Sequence, residues 1–224
     1  MMRKDFSHRK INVKIDTEKI EWLRTFFVQW YKDHGRCFPW RHPGTTPYAI
    51  LIAEMLLRQT NARAIEQVWR SFLQRFPTPA HVCAAPISEI YETVAILGLG
   101  QQRSAALKEC CCTLVSKHQG KIPRSTESLI HIPHIGLYTA HAIACFGYGQ
   151  RVPVVDVNVL RVLARITGKN FGQDNRRAQE AWAIAWMILP KRRVREHNYG
   201  LLDFAAQICT FHNPKHAECP LKDI

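Results

Sequence analysis

Three places in the chain combine chemically useful side chains with a neighbourhood that would tune them. Glu54 is the only charge in Ala49-Ile-Leu-Ile-Ala-Glu-Met-Leu-Leu57. A carboxylate surrounded by Ile50, Leu51 and Leu57 loses hydration, which raises its pKa and suits it to donate a proton. It could equally be a glutamate at a boundary between lobes, paired with Arg58 or another cation. Asp156, in Val154-Val-Asp-Val-Asn-Val159, stands where an N-cap belongs, ahead of Leu160, Leu163 and Ala164. Position alone favours the cap, yet the apolar approach Val152-Pro-Val-Val155 would set the carboxylate at the edge of a pocket. Finally, Ile132-Pro-His-Ile-Gly136 is a tight turn with glycine before a helix start. Such a turn offers backbone N–H groups to an anion, phosphate first. Its specificity is modest, because many helical hairpins contain glycine.

The elements that must hold these groups are helical almost throughout. Ile20, Leu23, Phe26, Phe27, Trp30 and Tyr31 recur at three- and four-residue steps behind Asp16, an expected N-cap. Thr46-Pro47 reads as an N-cap with proline at the first helical position, opening the run Tyr48 to Leu57. Ile65, Val68, Trp69, Phe72, Leu73 and Phe76 form the next stripe, stopped by Pro77 and Pro79. Ile90, Tyr91, Val94 and Leu97 make a short helix closed by Gly98-Leu99-Gly100, and residues 101–118 continue with Leu107, Cys111 and Leu114. Helices are expected over 125–131, 137–147, 157–167, 175–189 and 197–209. Only the brief Arg151 to Val155 alternates like a strand. The expected class is all-α, without internal repeat or obvious linker, so a second lobe must be built from both chain ends.

Composition narrows the partners. Across 224 residues Lys+Arg outnumber Asp+Glu by 31 to 18, a net charge of +13, which favours a polyanion, nucleic acid before an acidic membrane surface. Lys191, Arg192, Arg193 and Arg195 are either a phosphate-binding cluster or a solvated helix end. Met1 to Lys14 is basic with no apolar stretch behind it; it is no signal peptide, and either frays or lies on phosphates. Nothing is long and apolar enough to span a bilayer. Eight cysteines without a signal peptide argue against a secreted disulfide scaffold. Cys110, Cys111 and Cys112 are consecutive and read mostly as helix packing, and a reducing cytoplasm is the expected compartment.

Taken in order, Pro39-Trp40-Arg41, Pro47-Tyr48, Glu54-Met-Leu-Leu-Arg-Gln-Thr60, Gly98-Leu-Gly100, Pro133-His-Ile-Gly-Leu-Tyr-Thr-Ala140 and Val155-Asp-Val-Asn-Val-Leu-Arg-Val162 form one constellation. It resembles the helix-hairpin-helix DNA glycosylases, the class of endonuclease III and the adenine glycosylases, from about residue 20 to 220. Tyr138 and Asp156, eighteen residues apart, are the specific part. The resemblance implies a two-lobed fold: a six-helix barrel over 44–153 with the hairpin, and a second helical lobe from 1–43 and 154–224. Hairpin and aspartate would face the cleft, with double-stranded DNA across its mouth and the target nucleotide flipped inward. Asp156 matches the catalytic aspartate that stabilises positive charge on the sugar or positions water. Glu54 matches the glutamate that hydrogen-bonds or protonates the leaving base. Gln59 falls at the wedge that fills the gap in the stack. Arg58, Pro133, His134, Ile135, Gly136, Leu137 and Thr139 are the expected DNA contacts. Bifunctional relatives carry a lysine where this chain has Tyr138; a phenol cannot form their Schiff base, so base release without efficient strand cleavage is expected.

The resemblance also separates possible substrates. Leu97-Gly-Leu-Gly-Gln-Gln-Arg-Ser104 lacks the tyrosine pair usual in the adenine enzymes, and Asn198-Tyr-Gly-Leu-Leu-Asp-Phe-Ala-Ala206 is closer to the mismatch thymine enzymes. Thymine or uracil opposite guanine is therefore preferred over adenine opposite guanine or 8-oxoguanine, with another modified base as a further alternative. The family usually closes a [4Fe-4S] cluster with four cysteines; here Cys209 and Cys219 match the first and third positions, but His216 stands at the second and the fourth would lie beyond Ile224. The expectation is a degenerate loop without cofactor or metal. A monomer associated with the nucleoid completes the expectations. The rival class is a non-catalytic helix-hairpin-helix DNA-binding module, which would not account for Glu54, Tyr138 and Asp156 all standing at matching positions.

Overall fold

The computed structural model describes residues 16–169, 171 and 179–222. The basic tail Met1 to Lys14 and the start of the helix expected from 175 lie outside them. Among the described residues the fold is all-α, with no strand. The helices are α1 (Thr17–His34), α2 (Pro47–Leu56), α3 (Ala62–Arg75), α4 (Pro79–Ala84), α5 (Ile87–Val94), α6 (Gly100–His118), α7 (Thr126–Ile130), α8 (Leu137–Ala142), α9 (Val157–Thr167), α10 (Gln179–Met187) and α11 (Val194–Gln207). Residues 151–155 form no strand. The helix expected over 137–147 ends at Ala142 and passes into a five-residue π turn, Ile143–Gly147. Gly147 allows that ending to pack closely, since a Cβ there would lie 3.0 Å from the Cα of Pro47.

The chain divides into two compact units, Cys37–Gln150 and Met1–Arg36 with Arg151–Ile224. In the first, α2 starts where Thr46 Oγ1 accepts from Ala49 N at 3.2 Å and proline takes the first turn. Every residue from Tyr48 to Leu56 is buried. Each fully buried Leu, Ile or Met contributes about 1.5–3 kcal/mol, and α2 supplies five of them, Ile50, Leu51, Ile52, Met55 and Leu56. Buried polar atoms find partners: Trp69 Nε1 donates to Ala49 O at 2.9 Å and the Tyr48 hydroxyl to Phe76 O at 2.9 Å. Burial keeps the Tyr48 phenol far above its usual pKa.

The cysteines correct the sequence expectation. Cys110 and Cys111 pack into the core, and burial pushes the Cys110 thiol up to about 12, which leaves it inert. Cys112 instead forms a disulfide with Cys83, joining α6 to α4. Lys108, one turn before Cys112 on α6, reinforces the joint by donating to Cys83 O at 2.9 Å and Ala85 O at 2.5 Å.

In the second unit α1 and α11 approach very closely. A Cβ on Gly200 would lie 1.9 Å from the carbonyl oxygen of Phe27, so only glycine permits this crossing. Phe26, Phe27, Trp30, Phe204 and His197 interlock edge to face or tilted around it. Asp203, completely buried, accepts from Arg36 N at 2.8 Å and Arg36 Nε at 2.6 Å. Asp16 caps α1, and α9 turns Val159, Leu160, Val162, Leu163 and Ile166 inward before Gly168 closes it in the left-handed conformation.

Candidate active site and nucleic-acid interface

Asp156 is the N-cap of α9, and the cap makes it rigid. Its Oδ1 accepts from Asn158 N at 2.9 Å and Val159 N at 2.7 Å, while Oδ2 accepts from Asn158 Nδ2 at 2.7 Å. Asn158 is held in turn, because its Oδ1 accepts from Arg161 Nη1 at 2.9 Å. The approach is fastened from α11. Buried Asn198 accepts from Val154 N at 2.9 Å and donates to Val152 O at 3.1 Å and Val194 O at 3.0 Å. This half-exposed carboxylate therefore has a fixed direction, with the positive end of α9 behind it.

The remaining candidates belong to residues 37–150. Glu54 is buried in the last two turns of α2. Burial lowers the pKa of nearby Arg58, while Cys110 and then Glu54 oppose the shift, and the guanidinium stays charged. Arg58 reaches the hairpin, donating to His134 O and, at 3.5 Å, to Thr139 Oγ1. Gln59 is exposed, on a left-handed backbone (φ 54°). The hairpin joins α7 to α8. Buried Ile132 and Ile135 anchor it, with Ile132 N donating to Leu129 O and Ile135 N to Ile132 O, both at 3.1 Å. Between them Pro133 and His134 turn the chain, His134 at φ 64° with its ring Nε2 2.7 Å from Glu109 Oε2. Gly136 begins α8 with no side-chain cap, and a Cβ there would meet only open space. The exposed Gly136 therefore leaves room for a group to approach the start of α8. Thr139 is buried and Tyr138 half-buried.

Arg58, expected from the sequence as a DNA contact or as a partner of Glu54, directs its hydrogen bonds to the hairpin. Sequence reasoning missed Glu109, Arg103 and the fastening by Asn198; the signal for the last was an uncharged polar residue among buried positions of α11. Lys191, Arg192 and Arg193 are exposed just before α11, and Arg193 takes a left-handed conformation at its start.

The C-terminal loop does not fit an iron-sulfur cluster. Cys209 is buried with its Sγ 3.2 Å from Arg165 Nη1, a donor where a cluster needs a metal, and His216 replaces a thiolate. Among the described residues no three His, Cys, Asp or Glu side chains converge as a metal site. Protein contacts hold the loop: Thr210 Oγ1 donates to His212 O at 2.7 Å, Lys215 N to Ile208 O at 3.1 Å, and Leu221 is buried.

The HhH-GPD superfamily base excision DNA repair protein family matches residues 52–186. A thymine-DNA glycosylase of Aeropyrum pernix is 36% identical over 214 residues, covering 94% of this chain and 96% of that protein. An adenine DNA glycosylase of Mycobacterium tuberculosis is 35% identical over 88% of this chain and 65% of its own length. The solved structure of a thermostable thymine-DNA glycosylase superposes with a TM-score of 0.82 at 30% identity, over 91% of this chain and 94% of that one. The chain belongs to the HhH-GPD superfamily of base excision DNA repair proteins.

Proposed function

We propose that this protein is a monofunctional DNA glycosylase that hydrolyses the bond between deoxyribose and a thymine or uracil mispaired with guanine, leaving an intact abasic strand. The observation that carries the reaction class is the Asp156 carboxylate, immobilised by three hydrogen bonds. As the C1′–N bond breaks, positive charge grows on the sugar, and a fixed carboxylate stabilises it without reorganising. Water then adds to C1′ and passes its proton to the Asp156 carboxylate, which returns it to solvent, while the departing base takes up one proton, so that the hydrolysis balances. Glu54 hydrogen-bonds or protonates the departing base, and Gln59 fills the gap left by the extruded nucleotide. Arg58 and the hairpin from Pro133 to Leu137 hold the backbone of double-stranded DNA, and Thr139, expected as a DNA contact but buried, braces Arg58 from below. Tyr138, a phenol, cannot form the Schiff base through which a lysine there would cut the strand. We place the protein as a monomer on the nucleoid; no described helix is long and apolar enough to cross a membrane.

The choice of base rests on the similarity to thymine-DNA glycosylases. Adenine is the second reading, favoured by the 35% identity to an adenine glycosylase, although Gln101-Gln102 stands where those enzymes carry a tyrosine pair. A panel of duplexes (T:G, U:G, A:G, A:8-oxoG and modified cytosines), scored for base release before and after hot alkali, tests both. The expected result is strand breakage at T:G and U:G only after alkali. Borohydride should trap no wild-type adduct, and Tyr138→Lys should gain some trapping. A wild-type protein that is trapped itself overturns the monofunctional assignment; one that releases no base is a DNA-binding module.

A further inference from the structure

The last carbonyls of a helix have no partner inside it and must find one elsewhere. At the C-terminus of α2 that partner is a side chain from α6. Arg103 is 7% exposed and spends its guanidinium on neutral oxygens: Nη1 donates to Met55 O at 3.0 Å and Leu56 O at 2.9 Å, and Nη2 to Arg58 O at 3.1 Å and Thr60 Oγ1 at 2.8 Å. Its Nε lies 3.5 Å from Gly98 O. All five N–H groups of an arginine are thereby accounted for. A positive group also belongs at the negative end of α2.

This cation does more than end a helix. The two acceptors of Nη2 belong to Arg58 and Thr60, the residues on either side of Gln59. Gln59 itself is exposed in the left-handed region, as is Leu99 beside the anchoring Gly98. Non-glycine residues avoid that region, and such strain persists only where the surroundings over-determine it. Lysine could cap the helix as a point charge, but only the planar fork of arginine grips both flanks of Gln59 and the 98–99 turn together.

We propose that Arg103 is the positioning residue for Gln59: it clamps the 57–60 turn to the start of α6, so that Gln59 meets the duplex already aimed. The inference rests on the glycosylase reading for the role of Gln59 but is testable without catalysis. One arm uses a duplex with a stable tetrahydrofuran abasic site opposite 2-aminopurine, whose emission reports a side chain entering the gap. At saturating protein, Arg103→Lys should give less than about a third of the wild-type change, and adding Gln59→Ala should take away nothing more, because coupled residues are not additive. The second arm is single-turnover base release. Arg103→Lys should lose about tenfold or more on a T:G duplex, yet less than about threefold when the thymine lies opposite an abasic site and needs no wedge to stay extruded. Thr60→Val, which removes one acceptor and leaves the core alone, should show the same selectivity at two- to fivefold, and it decides the matter if Arg103→Lys does not fold. A full emission change in these variants, or equal losses on both substrates, overturns the proposal. Wild-type protein that releases no base defeats the glycosylase reading, and the emission arm still decides on Arg103.

Discussion

His197 should make the unit built from both chain ends sensitive to acid. It is 1% exposed on α11, its ring 5.5 Å from that of Phe27, with Nδ1 3.4 Å from Arg24 O. Burial lowers its pKa from 6.5 to about 4; the contact with the Arg24 carbonyl opposes this, and the charge of Arg24 adds to it. In the unfolded chain the imidazole takes a proton near pH 6.5, while in the folded protein it resists until about pH 4. Between these values the unfolded state binds more protons, so stability falls as pH falls; above pH 6.5 the group contributes no slope. A difference of two to three pKa units corresponds to about 3 kcal/mol lost between pH 7 and pH 4. His197→Gln removes the titration. Urea unfolding of wild type and variant at pH 7, 5.5 and 4 should show the variant less stable at pH 7 but flatter with pH by roughly that amount. Parallel pH dependences would refute the assignment. The neighbouring residue is Asn198, which fastens Val152 and Val154 ahead of Asp156, so base release should weaken along with stability as α11 loosens.

Asp156→Asn keeps an N-cap of equal quality but removes the charge; single-turnover excision should fall at least about a hundredfold, while binding to an abasic duplex stays within threefold, and near-normal excision would remove Asp156 from the chemistry. Reducing the Cys83–Cys112 pair, or Cys112→Ser, should lower stability by about 3–4 kcal/mol for a 29-residue separation; a midpoint indifferent to reductant would show that the thiols stay free. Gly200→Ala should cost about 3 kcal/mol or more, because the new Cβ meets the Phe27 carbonyl rather than a yielding side chain; calorimetry would expose the error as an unchanged Tm. Replacing Lys191, Arg192 and Arg193 with glutamine should flatten the salt dependence of DNA binding by about two to three counterions, and an unchanged slope would make the cluster a solvated helix end.

Most helices were legible because each announces itself locally; α4 was not, since Pro79, read as a stop for the preceding stripe, opens that short helix instead. Asp16 and Thr46 are N-caps that accept where expected, and the stripe Ile65, Val68, Trp69, Phe72 is the buried face of α3. What was illegible depends on partners distant in sequence. Cys112 looked like its two neighbours, and only the arrival of Cys83, 29 residues earlier, separates it from them. Arg103 could have been one more surface cation in a basic chain; its burial follows from α2 ending with unpaired carbonyls beside it. Nor could spacing foretell that α8 stops at Ala142, since a π turn carries the same apolar run through Ile143, Ala144, Cys145 and Phe146 by a different hydrogen-bond ladder.

At Asp156 the sequence posed a choice between a plain helix cap and a functional carboxylate, and the geometry removes the opposition. The contacts that cap α9 also immobilise the side chain: Asn158 N and Val159 N set Oδ1, and Asn158 Nδ2, steadied by Arg161, sets Oδ2. A carboxylate free to rotate would have to reorient as charge developed on a sugar, which spends part of its stabilising effect; one already fixed does not. Two backbone donors and one side-chain donor still leave lone pairs on both oxygens, since a carboxylate accepts about four hydrogen bonds. The cap therefore restricts direction without exhausting the group. The same logic explains Asn198, whose side chain holds Val152 and Val154 in the segment that leads to Asp156. Local helix-capping chemistry is here the means by which a charge is held still, and an aspartate with a good cap is for that reason a stronger candidate for the reaction than one without.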